Sequence, residues 1–418
     1  MKKILTIIFI FLFTNCLFAD TVLTWQQCVD IANENNQTLV STRQDLRIAE
    51  YDYNIALNKY YPSANFRYGF SRSGNGHTSN SWSTNLSASQ TIYNFQNSAE
   101  IKSKKASINK TVAQLTKTCA DVYFSIKEAF LKMKYAQQNI ILLENIYKLR
   151  SQSADIVRLQ YEGGKESKGN MLRSKAQKQS AYINFLNAQR ELVVAKRALV
   201  QTLGKDIPID FTVEGTLITV KDDNSFDVDE IVSSVPDVII SSAAVEIAEY
   251  RVLSNKGNLY PNISASASIG LSDDTNPFPP LSSKNWNVGV GLNYPILSGG
   301  LTSISNSIKS SKIALEQNKE NYEKTILASK TELQNILLEI EKTKDSIVIS
   351  EMLLEAAIQR QKEATVKYRA GTMEFQTWQD IEQEYVNNQI SHLSALYNYN
   401  VALAKRDRIL GNTNGDIK

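Results

Sequence analysis

Four groups of residues in this 418-residue chain have types that could carry chemistry, and none has the spacing or setting for it. The two histidines are His77, within SRSGNGHTSN, and His392, in a helical segment. They are too few and too far apart for a zinc-ligand pattern or for a Ser/His/Asp or Cys/His nucleophile set. The string GGKES invites a phosphate-loop reading, but the first glycine of that motif would fall on Leu159, and Glu166 separates Lys165 from Ser167. It also follows a helical segment, whereas a phosphate loop follows a strand. Ser107 and Lys110 match a lactamase-like pair only as chance allows in a chain rich in both residue types. Cys28, in WQQCVDIA, and Cys119, on a heptad seam, read as small core residues. The expectation is a protein with no catalytic residue, no metal and no cofactor.

The chain opens MKKILTIIFIFLFTNCLFAD, with Lys2 and Lys3 before an apolar run from Ile4 to Phe13. That is an export signal whose core is too short to span a bilayer. Cleavage after Ala19 is expected; lipidation at Cys16 is the competing reading, against which Asn15 stands where a small residue is wanted. Losing Lys2 and Lys3 from 46 basic residues leaves 44 against 43 acidic ones, a balance that gives no support for nucleic-acid binding. No later stretch reaches eighteen apolar residues, which excludes a membrane helix of ordinary length but not barrel strands.

The elements repeat. Tyr161 to Gly204 aligns with Tyr368 to Gly411 at a constant offset of 207, without a gap. Tyr61-Pro62 is echoed by Tyr260-Pro261, and Trp82 by Trp286. Two halves of one architecture follow. After a signal at 1–19, a first repeat at 20–204 holds a helix, a strand hairpin at about 61–93, a long helix at about 94–160 and a helix at about 165–203. A linker or equatorial segment at 205–229 leads to a second repeat at 230–411. Its hairpin is placed at about 260–296, its long helix at about 298–367 and its last helix at about 372–410, before a tail at 412–418.

The hairpins alternate with period two. Ile263, Ala265, Ala267, Ile269 and Leu271 oppose Asn262, Ser264, Ser266, Ser268 and Gly270; Trp286, Val288, Val290 and Leu292 oppose Asn287, Gly289, Gly291 and Asn293. In the first half Ala64, Phe66, Tyr68 and Phe70 oppose Asn65, Arg67, Gly69 and Ser71, and Trp82, Leu86, Ala88 and Ile92 oppose Ser83, Asn85, Ser87 and Ser89. Strands of this length, with one apolar and one Ser/Asn/Gly face, suit a bilayer on one side and water on the other. Tyr61, Trp82, Tyr260 and Trp286 are expected at the strand ends, as interfacial aromatics. Four strands cannot close a barrel, so other copies must complete it: two copies would give eight strands, three would give twelve.

The long segments carry period seven instead. Ile101, Ile108, Leu115, Val122, Ala129, Ala136 and Leu143 form one series, and Val112, Cys119, Ile126, Met133, Ile140 and Tyr147 its companion. A seam of this kind marks coiled-coil packing, and the segment from Asn94 to Gln160 amounts to roughly 100 Å of helix. The segments from Thr24 to Lys59 and from Lys165 to Leu203 read as shorter helices that together cover a similar length. Gly164 and Gly371 each end a long helix, where glycine takes a left-handed turn.

The opening LTWQQCVDIANENN, the two Tyr-Pro strand starts, YPILSGG and the twin passages running to Leu-Gly together resemble the TolC-like outer-membrane efflux proteins across almost the whole mature chain. The resemblance implies an α+β membrane protein, a homotrimer with four strands per chain in a twelve-stranded barrel set in outer-membrane lipid, and a tunnel of long antiparallel coiled-coil helices crossing the periplasm of a Gram-negative bacterium. It implies that Gly163, Gly164, Lys165, Ala370, Gly371 and Thr372 are tip turns. These would dock a periplasmic adaptor and an inner-membrane transporter of the RND or ABC class. By position it places Gly169, Asn170, Tyr368, Met373, Thr377 and Asp380 at a periplasmic gate, where Asp380 alone keeps a carboxylate. The implied function is passive exit of substrates, toxic compounds among them, delivered by the inner-membrane pump. A type I protein secretion duct is one alternative, and a pore-less periplasmic coiled-coil scaffold another.

Overall fold

The computed structural model describes residues 21–74, 78–206, 208, 210–215, 217, 227–296 and 301–413. The export signal with Cys16 and Ala19, His77, the LSGG of YPILSGG, much of the 205–229 linker and residues 414–418 of the tail lie outside the described residues. The chain forms two units. One holds the described residues of Met1–Asn36, Ser125–Lys221 and Lys344–Val401; the other holds those of Gln37–Phe124, Asp222–Thr343 and Ala402–Lys418.

The leading segment of the first repeat is two helices rather than the single one expected from Thr24 to Lys59: α1, Trp25–Asn35, and α2, Gln37–Asn58. Thr24 caps α1 in a reciprocal box with Gln27, satisfying two of the amides a helix start leaves open. The break falls at Asn36, whose backbone is extended, and its side-chain amide donates to Thr202 O at 2.9 Å. Gly204, at φ +71°, packs on the same spot, where a Cβ would stand 2.5 Å from Asn35 O. The second repeat makes the same joint with different residues. Its leading segment is α5, Val228–Ile231, a 3-10 turn at Val232–Ser234, and α6, Pro236–Gly257. Gly411, at φ +68°, sits against the Pro236 ring, 2.6 Å from the position of a Cβ. A strand the sequence did not announce, β1 at Thr21–Leu23, pairs in parallel with β4, Phe211–Val213, in the segment after Gly204.

Each repeat then gives a hairpin: β2, Ser63–Gly74, with β3, Thr78–Tyr93, and β5, Asn262–Asp273, with β6, Lys284–Asn293. They join into one antiparallel sheet in the order β2-β3-β5-β6. The register lines up Phe66, Leu86, Ile269 and Trp286 in one row and Ala64, Ala88, Ala267 and Val288 in the next. On the opposite face run the rows Asn65, Ser87, Ser268 and Asn287, and Arg67, Asn85, Gly270 and Asn285. The apolar face is bare: Val288 is 71% exposed, and Phe66, Trp286, Val290 and Leu292 are similarly open. Aromatics lie near both ends of the sheet. Tyr61, Tyr93, Tyr260 and Tyr294 lie where the strands meet the helical segments; Phe70, Trp82 and Trp286 lie toward the hairpin loops. Tyr260 also stacks on Phe95 at 4.8 Å.

The long helices are α3, Phe95–Glu162, and α7, Ser303–Arg369; the helices after them are α4, Lys168–Leu203, and α8, Phe375–Ile409. The heptad seam of α3 departs from expectation in its first turns. Val112 is 45% exposed, and the buried series is Ala99, Ala106, Ala113 and Ala120. Ser174, Ala181, Ala188 and Ala195 repeat the pattern on α4. Helices that approach closely bury the small residue rather than the bulky one beside it, because interaxial distance follows contact side-chain size. No single described helix is long and apolar enough to cross a membrane. A bent pair, Val228–Ser234 with Pro236–Gly257, passes by composition, but its Val232, Val235 and Val238 pack on Leu333 in a core cluster.

Candidate functional site

Both long helices end in the same backbone device. After α3, Gly163 N donates to Leu159 O, Gly164 N to Tyr161 O and Lys165 N to Gln160 O, with Gly164 at φ +71°. After α7, Ala370 N donates to Val366 O, Gly371 N to Tyr368 O and Thr372 N to Lys367 O, with Gly371 at φ +77°. The offset of 207 seen in the sequence is thus reproduced bond for bond. These are Schellman-type closures, which satisfy the last carbonyls of a helix. A Cβ on Gly164 or Gly371 would meet nothing within 4 Å, so only the left-handed dihedral calls for glycine there.

The space around the two turns is filled unequally. The second repeat supplies most of the apolar part: Tyr368, 2% exposed, stacks on Trp378 at 4.1 Å and 11°, with Phe375 and Ala364 around them and Val157 of the first repeat packed against the cluster. Trp378 Nε1 donates to Thr365 Oγ1 at 3.3 Å. The first repeat supplies the polar part. Glu166 Oε2 accepts from Tyr368 Oη at 3.0 Å, while its Oε1 accepts from Asn170 Nδ2 at 2.7 Å and Ser167 N at 2.9 Å. Gln160 Nε2 donates to Tyr368 O at 3.1 Å, and Arg173 Nη1 to Gln376 Oε1 at 2.6 Å. Burial by itself would raise the Glu166 carboxyl; the hydrogen bonds from Asn170, Ser167 and Tyr368 outweigh it and hold the pKa below the ordinary value. Burial first, and then the Glu166 carboxylate, push the Tyr368 hydroxyl well above its ordinary range, so it stays a donor.

Farther along the same helices, Arg150 of α3 and Glu382 of α8 form a buried ion pair, 5% and 0% exposed. Ser153 Oγ donates to the same carboxylate, and Arg150 Nη2 donates to Gln383 Oε1 at 2.7 Å. Burial raises the Glu382 pKa, an effect that Arg150 and Ser153 partly offset.

The structure therefore divides the residues singled out from the sequence. Tyr368, Asn170 and Met373 gather around Glu166, in a groove of about 1210 Å³ that Gly163, Lys165, Ala370 and Gly371 also line. Gly164 and Thr372 form the turns without lining that groove. Thr377 and Asp380 are exposed on α8, where Asp380 accepts from Gln376 Nε2 at 2.8 Å, and Gly169 is exposed in the first turn of α4. Sequence reasoning missed Glu166, Arg150, Glu382 and Trp378. A signal was present for Arg150, which stands seven residues after Leu143, at the next position of the apolar series, where a charge must find a buried partner. His392 packs with Nδ1 3.1 Å from Ser350 Oγ. Cys28 and Cys119 are buried and unpaired, and burial pushes the Cys28 thiol up to about 11. Among the described residues no group of His, Cys, Asp and Glu could hold a metal ion.

Comparison with known proteins gives this architecture its context. Solved structures with the same fold include CusC, at a TM-score of 0.84 and 19% identity, covering 93% of this chain and 92% of that one. The outer membrane channel MtrE of Neisseria gonorrhoeae, in its open state, aligns at a TM-score of 0.83 and 19% identity over 93% of this chain and 89% of its own. Outer membrane efflux protein BepC of Brucella suis biovar 1 is 20% identical over 362 residues, 83% of this chain and 79% of that protein. The family model for outer membrane efflux proteins matches twice, at residues 28–205 and 228–412, one match for each repeat. With most of its length matched, and with the doubled strand-and-helix order that the structure displays, the chain belongs to the outer membrane efflux protein family, whose members are channels of the Gram-negative outer membrane that extend into the periplasm.

Proposed function

We propose that three copies of the chain close one twelve-stranded barrel in the outer membrane and that solutes leave through its lumen without energy input from this protein. The observation that carries the reading is the four-stranded sheet. Its apolar face is bare, and its order leaves β2 and β6 as open edges. In lipid, each unpaired backbone group on such an edge costs several kcal/mol, and only closure removes both edges. Pairing β6 of one copy with β2 of the next achieves that, with the Ser/Asn/Gly face turned to water. The turns at Gly164 and Gly371 form the periplasmic mouth in this reading. The groove between them receives a periplasmic adaptor, which couples the channel to an inner-membrane transporter of the RND or ABC class. The contact of Tyr368 with Glu166, together with Asn170, Met373, Thr377, Asp380 and Gly169 nearby, holds the mouth narrow until partner contacts favour a wider state. Membrane fractionation followed by electrophoresis with and without heating tests the assembly. The expected result is an outer-membrane protein that needs detergent for extraction and runs as a heat-dissociable trimer; extraction as a monomer in buffer alone overturns it.

A further inference from the structure

The polar face of the sheet carries one charged side chain, and its place is unusual. From β2 to β6 this face presents Ser, Thr, Asn and Gly throughout, except at Arg67. Arg67 is exposed and makes no ion pair among the described residues. Its row continues through Asn85, Gly270 and Asn285, all without charge. A polar basin of about 630 Å³ surrounds it, lined also by Asn65, Ser83, Ser268 and Ser272. Gly270 keeps that basin open on one side: a Cβ there would fall 2.7 Å from Asn285 Oδ1. The other charges of the strands, Arg72, Asp273 and Lys284, belong to the apolar-face register near the hairpin loops. None of them stands opposite Arg67.

We propose that Arg67 forms a positive belt inside the barrel that favours the passage of anionic solutes. The inference rests on the trimeric barrel proposed above, since one copy supplies a single charge and three copies supply the ring. Twelve strands about 4.8 Å apart and tilted by about 40° enclose a backbone diameter of roughly 24 Å. The three guanidinium groups then lie within about one Debye length of the axis at 0.1 M salt, where that length is ~10 Å. Three unit charges at that distance, screened by water and salt, enrich an axial anion by roughly threefold and deplete a cation similarly. At 1 M salt the screening length falls to ~3 Å and the bias vanishes. Arginine suits the place because it stays charged at every physiological pH and binds carboxylate or phosphate in a bidentate fork.

Reversal potentials of the purified full-length channel in planar bilayers, across a KCl gradient, test the belt. At 0.1 M mean salt, Arg67→Gln is expected to lower the chloride-to-potassium permeability ratio by about twofold or more. Arg67→Glu should lower it further, Arg67→Lys should leave it near the parent value, and the differences should fade at 1 M. Equal ratios in the parent and in the Gln and Glu variants, with ordinary conductance in each, overturn the arginine belt while leaving the pore in place. Absence of channels from the parent chain overturns the trimeric pore, and the belt with it.

Discussion

The region around the two turns and the four-stranded sheet treat their polar and apolar groups in opposite ways. Around the turns a single chain satisfies itself. Glu166 receives three hydrogen bonds, Arg150 meets Glu382, and Tyr368 and Trp378 stack out of contact with water. The sheet does the reverse, leaving the outer edges of β2 and β6 unpaired and a row such as Phe66, Leu86, Ile269 and Trp286 bare. One region is finished within the chain, and the other is finished only by lipid and further copies. Substitutions in the first should therefore act on the chain's own stability, and substitutions in the second should act on membrane assembly.

The largest effect is expected at the buried ion pair. Arg150→Ala strands the Glu382 carboxylate and should cost about 3–5 kcal/mol, read from denaturant unfolding or from loss of hydrogen-exchange protection in α3 and α8. Arg150→Met combined with Glu382→Leu should recover most of it, because the uncompensated charge is what costs. Equal losses in the single and double variants would break the first half of the comparison. Next comes the sheet. Val288→Arg on the apolar face should cost about 2–4 kcal/mol near the bilayer midplane and deplete trimer from the outer membrane. Ser268→Arg on the opposite face should assemble like the parent, and equal defects in both would contradict the assignment of faces.

A smaller effect concerns pH. The folded Glu166 pKa lies below its ordinary value, so the unfolded chain takes up the proton first. Its contribution is therefore complete above the unfolded pKa of about 4.3 and is lost as pH falls through the folded value. Tyr368 works at the other end: its folded hydroxyl holds its proton above the ordinary tyrosine range, so the contact persists through neutral and mildly basic pH. Protection of the Lys165 and Thr372 amides, taken as exchange relative to the intrinsic rate at the same pH, should fall on acidification in the parent, and Glu166→Gln should remove that acid dependence.

How much of this was legible in the sequence depended on whether the determinant was local. The duplication, the strand alternation and the left-handed glycines are written in spacing, and Gly164 and Gly371 carry the expected dihedrals. The break at Asn36 was hidden because no Gly or Pro marks it; it exists because Gly204 and the Thr202 carbonyl meet the chain there. The shift from Val112 to Ala113 was hidden for a related reason, since periodicity ranks residues by bulk while close helix approach selects for smallness. Around the turns Tyr368 was found and its partner was not. Glu166 lay inside a string set aside as a failed phosphate loop, 202 residues from the hydroxyl it accepts from.

The most direct test of the account is the single-channel conductance of the purified trimer in planar bilayers, parent against Tyr368→Phe combined with Glu166→Gln. The combined variant removes the hydroxyl-to-carboxylate contact that joins the two turns while keeping side-chain volume nearly constant. A larger conductance or more frequent opening, with an unchanged heat-dissociable trimer, is the predicted result. Conductance and opening identical to the parent in an intact trimer would contradict the claim that this contact holds the mouth closed.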